Sequence, residues 1–463
     1  MMSRKFFMCC IAVACAGCNA VGRQESNANV AATAPPKVIL IIGDGMDDHQ
    51  ITIARNYLVG YNGRLTLDDM PWRSSVQVQT VAENDPNLPE YVGDSANSAT
   101  SMSTGIVTSA GRIATTARSD EDATTIMDLA SAAGFGTGIV TTASVTDATP
   151  ASFVAHINQR LCQGPRSMVR RNSSNPRFST NCSADLKANG GKGSISEQIA
   201  ASGLDIVLGG GMQQFDQLAE GEVSRTVLDL AAANGFQLID DARELASVTR
   251  DRKVLGLFSP GTMPVKWRGA NDAEAQRVQR DAGGRVLLPA PFSCESNPDF
   301  EGMPTLAAMS RTALRHLDDG RSFMLMIESA SIDKQSHLRR PCGQIGELDQ
   351  LDETLALVLG YAREHPETLV LVTADHGQAA QLLPKASLLS GYASPGYFAR
   401  LVTREGAIMG VNYSTNDSPI QEDHTGTQIP LFASTVPAAG MTAMIRQADI
   451  FEIMRRHLGL SPM

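Results

Sequence analysis

The chain lacks a surplus of positive charge: 39 Lys and Arg stand against 49 Asp and Glu, a formal charge of −10. A nucleic-acid binder normally shows a basic patch, so that partner class is set aside. The cysteines beyond the first 18 residues include no Cys-x-x-Cys pair either, which removes the usual spacing of a cysteine-held zinc from the body of the chain. No internal repeat is found. The one apolar run near the start, Phe6 to Ala16, is too short to remain as a membrane-spanning helix.

What is present is a globular chain of 463 residues, 43% hydrophobic and 19% charged, long enough for a large core. Arg4 and Lys5 followed by the Phe6–Ala16 run read as an export signal. It ends in Cys15-Ala16-Gly17-Cys18, which resembles the lipobox of bacterial lipoproteins, with Cys15 where Leu is usual. On that reading residues 1–18 are a signal peptide and Cys18 is the lipidation site; the plain alternative is simple cleavage near Gly17 or Ala20, and either way export is to the periplasm. Residues 19–36, rich in Ala and Asn and ending Pro35-Pro36, read as a flexible tether. Four of the eight cysteines lie in the signal region. The others, Cys162, Cys182, Cys294 and Cys342, are an even number bound for an oxidising space, and three pairings are open. If paired sequentially, each closed loop stabilises by roughly 3–4 kcal/mol.

The body, 37–463, opens on Val38-Ile39-Leu40-Ile41-Ile42, an unbroken apolar run typical of a strand buried on both faces. Similar runs recur at 138–141, 204–208, 323–327 and 369–373, with helical patterns between them, as at 123–133 and 348–363. Strands alternating with helices predict a three-layer α/β fold, a mostly parallel central sheet covered on both faces. The polar stretch 162–193 reads as a surface excursion. Two strands around 403–406 read as a hairpin inside a crown-like insertion, 377–423, over the site.

Ligands in such folds bind beyond the carboxyl ends of the strands. Asp44 follows the first strand, Asp147 and Thr149 follow the second, Glu328 ends the fourth and Asp375-His376 end the fifth. Four strands therefore aim oxygen and nitrogen ligands at one edge. Asp333 and His337 lie one helical turn apart, on one face. Taken singly, that pair is more often a solvated helix face, and His424 an ordinary structural histidine. Ser95, behind Asp94, sits at a predicted helix start, where free N–H groups favour an anion. The plain alternative is that Asp94 or Ser95 merely caps the helix. Carboxylates and imidazoles around one hydroxyl are the components of a two-metal phosphoryl-transfer site, in which bound cations offset the local acids.

These residues carry a resemblance. Gly43-Asp44-Gly45-Met46, Gly93-Asp94-Ser95-Ala96, Asp147-Ala148-Thr149-Pro150, Val154-Ala155-His156, Leu208-Gly209-Gly210-Gly211, Asp333–His337, Pro341–Gly346, Thr373–His376 and His424-Thr425-Gly426 follow one another as in bacterial periplasmic alkaline phosphatases. The resemblance implies that fold and a broad phosphomonoesterase with two zinc ions and one magnesium. It makes Ser95 the nucleophile that becomes phosphoserine, with Arg160 and Lys334 completing the catalytic set. Asp333, His337 and His424 would hold the first zinc; Asp44, Asp375 and His376 the second; Asp44, Thr149 and Glu328 the magnesium, with Asp147 orienting its waters. It further implies the pairs Cys162–Cys182 and Cys294–Cys342, small phosphate monoesters as partners, and a homodimer reaching the membrane only through a lipid anchor. Gln378 departs from the pattern, standing where relatives carry a histidine, which bears on zinc affinity and pH optimum.

Rival readings are a phosphodiesterase of the same superfamily and a non-catalytic lipoprotein that binds phosphate or zinc. A sulfatase would need a Cys-x-Pro-x-Arg element, and none is present.

Overall fold

Ten strands form one twisted sheet. In chain order they are β1 (Lys37–Gly43), β2 (Trp72–Gln77), β3 (Gly136–Ser144), β4 (Ile206–Gly210), β5 (Phe236–Ile239), β6 (Lys253–Leu257), β7 (Phe323–Ser329), β8 (Thr368–Ala374), β9 (Ile429–Ala433) and β10 (Met444–Arg446). Their spatial order is β10-β2-β9-β8-β1-β7-β3-β4-β6-β5. Only β9 runs antiparallel to its neighbours; every other pairing is parallel. The computed structural model describes residues 34–169, 181–384, 396–437 and 440–461.

The expected runs become the centre of this sheet. Val38 through Ile42 are fully buried, as are most side chains of β3, β7 and β8. A fully buried aliphatic side chain contributes roughly 1.5–3 kcal/mol, so the four central strands anchor the fold. Helices cover the sheet in separate groups. One contains α1 (Asp48–Leu58) and α4 (Pro341–Glu364); another contains α2 (Ser95–Thr104) and α5 (Asp449–His457). Residues 35–463 cluster as one unit.

Several expected boundaries shift. α4 begins at Pro341 rather than at 348, because a proline suits the first helical turn, where its missing N–H costs nothing. The expected 123–133 helix spans Ile126–Ala132, since Thr125 caps it by accepting from the Asp128 N–H. β4 starts at Ile206 rather than at 204. The hairpin forms as expected, from Tyr397–Val402 against Ile408–Tyr413. Its small sheet takes in Gln381–Leu383 and also Gln276–Arg277 from far upstream. Both sequential disulfides are present, Cys162–Cys182 and Cys294–Cys342.

The signal segment, Cys18 and all but the end of the tether lie outside the described residues, as do 170–180 of the polar excursion. Among the described residues, no helix is long and apolar enough to cross a membrane.

Candidate active site

Strands β8, β1, β7 and β3 are adjacent and parallel, so their carboxyl ends share one edge. The register pairs Gly43 with Ser329 and with Ala374, which brings Asp44, Glu328 and Asp375 together. Gly45 lets the chain turn away here. Its φ is +67°, and a Cβ would sit 3.1 Å from Asp333 Cβ, so a side chain there would crowd the site.

One cluster consists of Asp44, Asp375 and His376, all buried, with potential ligand atoms within 4.8 Å of one another. His376 Nε2 lies 3.5 Å from Asp44 Oδ1, 3.3 Å from Asp375 Oδ2 and 3.2 Å from Ser95 Oγ. Its Nδ1 lies 3.2 Å from the Gly377 carbonyl, an acceptor, which fixes the proton on Nδ1 and leaves the Nε2 lone pair facing the cluster. Burial, then the charges of Asp375, Asp333 and Glu328, hold the Asp44 carboxyl well above its ordinary range. Burial pushes Asp375 up to about 6 and His376 down to about 4.

A second cluster joins Asp333 and His337 of α3 (Ser331–His337) to His424. His337 Nε2 is 3.1 Å from His424 Nε2; Asp333 Oδ1 lies 3.3 Å from the first nitrogen and 3.5 Å from the second. Each Nδ1 faces a backbone carbonyl, Glu422 for His337 and Gly93 for His424. So oriented, the two Nε2 atoms face each other with Asp333 Oδ1 beside both, an arrangement that suits a cation between them. Burial pushes His424 down to about 3. Burial would raise Asp333, but the imidazoles of His337, His424 and His376 outweigh it and hold the carboxyl low.

Beside these, Glu328 is buried and pushed up to about 8, first by burial. Thr141 on the adjacent strand donates to its Oε2. Asp44 Oδ1, Asp375 Oδ2 and Thr149 Oγ1 are all buried with no hydrogen-bond partner. Orphaned buried oxygens are rare unless something else satisfies them, and this donor set fits divalent cations.

Ser95 is the first residue of α2, with Asp94 as its cap: Asp94 Oδ1 accepts from the Asn97 N–H at 3.1 Å. Asp94 therefore does serve as a cap, as the plain reading held. It also has a second task, since its Oδ2 accepts from Arg160 Nη1 at 3.0 Å. Arg160 Nη2 reaches Asp147 Oδ1 at 3.2 Å, and Lys334 donates to the other Asp147 oxygen. Burial would raise Asp147, but Lys334 and Arg160 outweigh it and hold the carboxyl low.

A cavity of about 800 Å³ opens here, lined by Ser95, Asp147, Arg160, Asp333, His337 and His424 among others. The structure thus brings together Ser95, Arg160, Lys334, Asp147, Glu328 and the six residues of the two clusters, while Thr149 lies buried two residues past Asp147 and the four cysteines form disulfides. Gln378 donates to Asp333 Oδ1 and its own Oε1 accepts from the Ala379 N–H at 2.7 Å, so it orients that carboxylate. Sequence reasoning missed Thr141 and the Arg160-holding role of Asp94. The first could be found only from the pairing of Thr141 with Glu328 across β3 and β7.

Comparison with known proteins agrees with this geometry. A family model described as alkaline phosphatase matches residues 36–418. The streptomycin-6-phosphate phosphatase of Streptomyces griseus is 40% identical over 435 residues, covering 91% of this chain and 90% of that protein. The alkaline phosphatase of Escherichia coli (strain K12) is 38% identical over 431 residues, covering 91% and 86%. Among solved structures, the alkaline phosphatase from the Antarctic bacterium TAB5 superposes with a TM-score of 0.66 at 23% identity, covering 93% of this chain and 100% of that one.

Proposed function

The chain belongs to the alkaline phosphatase family and is a phosphoric monoester hydrolase, and we propose that it acts through a phosphoserine formed at Ser95. One observation carries this reading. Ring nitrogens of His337, His376 and His424 and unpartnered oxygens of Asp44 and Asp375 gather in the two clusters beside the Ser95 hydroxyl, which shares a cavity with the Arg160 guanidinium.

On this reading Asp333, His337 and His424 hold one zinc and Asp44, Asp375 and His376 another. Asp44, Thr149 and Glu328 hold magnesium, with Asp147 beside it. When bound, these cations supply Lewis acidity, lowering the pKa of hydroxyl groups and stabilising charge on the leaving oxygen. The chain's own groups do the rest. Arg160, already fixed by Asp94 and Asp147, forks onto two phosphoryl oxygens with little ordering left to do. The α2 amino terminus favours the anion where Ser95 Oγ attacks phosphorus in line. The ester oxygen leaves on the opposite side and takes up a proton. Water then attacks the phosphoserine, releases inorganic phosphate and regenerates the Ser95 hydroxyl. Asp147 holds Lys334 at the rim, where its ammonium attracts the substrate dianion.

The cavity exceeds the size of a phosphate group, which supports a broad range of small monoesters. The basic-then-apolar start and two disulfides support export to the periplasm. Anchoring through Cys18 and homodimerisation belong to the same reading, on family resemblance. The test is acid-quenched mass spectrometry during turnover, which should find phosphate on Ser95. Ser95→Ala should lose several orders of magnitude in turnover with metal content intact; unchanged turnover would sink the assignment.

A further inference from the structure

Behind the His337–His424 pair lies an ion pair that the proposed mechanism does not use. Arg339 Nε donates to Glu422 Oε1 at 2.7 Å, and the two side chains are 6% and 0% exposed. Arg339 lies two residues past the end of α3 and adopts φ +62°, a left-handed conformation that costs energy for any residue but glycine. Glycine or asparagine would suit that backbone better, so side-chain contacts must offset the cost. They do: Nη2 donates to the Ser418 carbonyl at 2.6 Å, and the guanidinium stacks 3.9 Å over the Tyr397 ring. The other Glu422 oxygen accepts from the Thr415 N–H at 2.8 Å and its hydroxyl at 2.7 Å.

The backbone of Glu422 connects this clamp to the site. Its N–H donates to the His337 carbonyl at 3.0 Å, and its own carbonyl receives the His337 Nδ1 proton. Two residues further on, His424 faces His337 at 3.1 Å. His337 ends a helix and His424 ends a long irregular segment, so no shared element fixes their spacing.

We infer that Arg339 and Glu422 are positioning residues: their buried pair clamps the 414–424 segment onto the end of α3 and so sets the geometry of the Asp333–His337–His424 cluster. The inference rests on the reading that this cluster holds a cation. Partners that orient metal-binding histidines typically contribute 10–100-fold in affinity.

The test measures zinc binding, by competition with a chromophoric chelator, in wild type, Glu422→Gln, Arg339→Met and the double variant Arg339→Met/Glu422→Leu. Cobalt(II) absorption reports coordination at the two-histidine cluster. The double variant replaces the ion pair by apolar groups compatible with burial, and so guards against misfolding of the single variants. The expected result is 10–100-fold weaker binding of one of the two zincs and an altered cobalt spectrum, with the other zinc within about twofold. Unchanged affinity and spectrum in every variant, or equal weakening of both zincs, overturns the inference and leaves the phosphatase reading standing. A wild-type protein that binds no zinc removes both.

Discussion

The two clusters proposed to hold cations carry nearly the same side chains on different scaffolds. The Asp44–Asp375–His376 cluster stands on the ends of adjacent central strands and is wholly buried. Like charges crowd there, and burial drives its carboxyls up. The Asp333–His337–His424 cluster stands on a short helix and a distant segment, its histidines only partly buried. There one carboxyl faces two imidazoles and stays low. The strand cluster is therefore rigid and electrostatically strained, whereas the helix cluster is electrostatically relaxed and needs outside help with its geometry.

Breaking the strand cluster should cost most. Asp44→Asn removes a charge shared by two proposed cation positions and should lower kcat/KM by roughly 10³-fold, several kcal/mol of charge stabilisation. The same change relieves crowding with Asp375, Asp333 and Glu328, so the chelator-treated protein should melt at a higher temperature, as calorimetry can check. A fall in both would contradict the strained-site account.

His424→Ala strikes the helix cluster, and a smaller loss, about 10²-fold, is expected. It should grow as the leaving group becomes more basic, because the resemblance to alkaline phosphatases implies that a zinc held by this cluster binds the leaving oxygen, an assignment we propose for this chain. A plot of rate against leaving-group pKa reads this directly, and an unchanged slope would reverse the assignment of the two clusters.

Acidity should separate the sites further. Glu328 keeps its proton up to about pH 8 and Asp375 to about 6, so a cation must displace those protons. Affinity there should rise with pH, by about tenfold per unit below each value, until the carboxyl ionises on its own. Asp333 is ionised throughout, and His424, pushed down to about 3, is neutral above that. Neither of those two ligands competes with a proton between pH 6 and 8, so the helix cluster's affinity should depend less steeply on pH than that of the strand-end carboxylates, as isothermal titration can show. The smallest effect is expected at Gln378→Ala, which frees the Asp333 carboxylate to rotate, for a loss of about tenfold in zinc affinity at that cluster alone.

The strand cluster was also the more legible of the two. Runs such as Val38–Ile42 are buried on both faces, so hydrophobicity alone marks them, and a ligand directly after such a run has its place set by the strand. The start of α4 was hidden because Gln344, Glu347 and Gln350 are polar yet buried, with Glu347 accepting from Thr142 and from Gln350 at 3.1 Å. Periodicity reads such residues as solvent-facing. Arg339 and Glu422, 83 positions apart, carry no local signal at all. Long-range polar pairs are set by tertiary packing, which neither propensity nor spacing records.

The most direct test of the central claim is hydrolysis of p-nitrophenyl phosphate and its bis-ester by chelator-stripped protein, with zinc and then magnesium restored. The account predicts that monoester turnover returns with zinc and increases with magnesium, while the bis-ester stays a poor substrate. Preferential cleavage of the bis-ester, or monoester turnover indifferent to both metals, would contradict it.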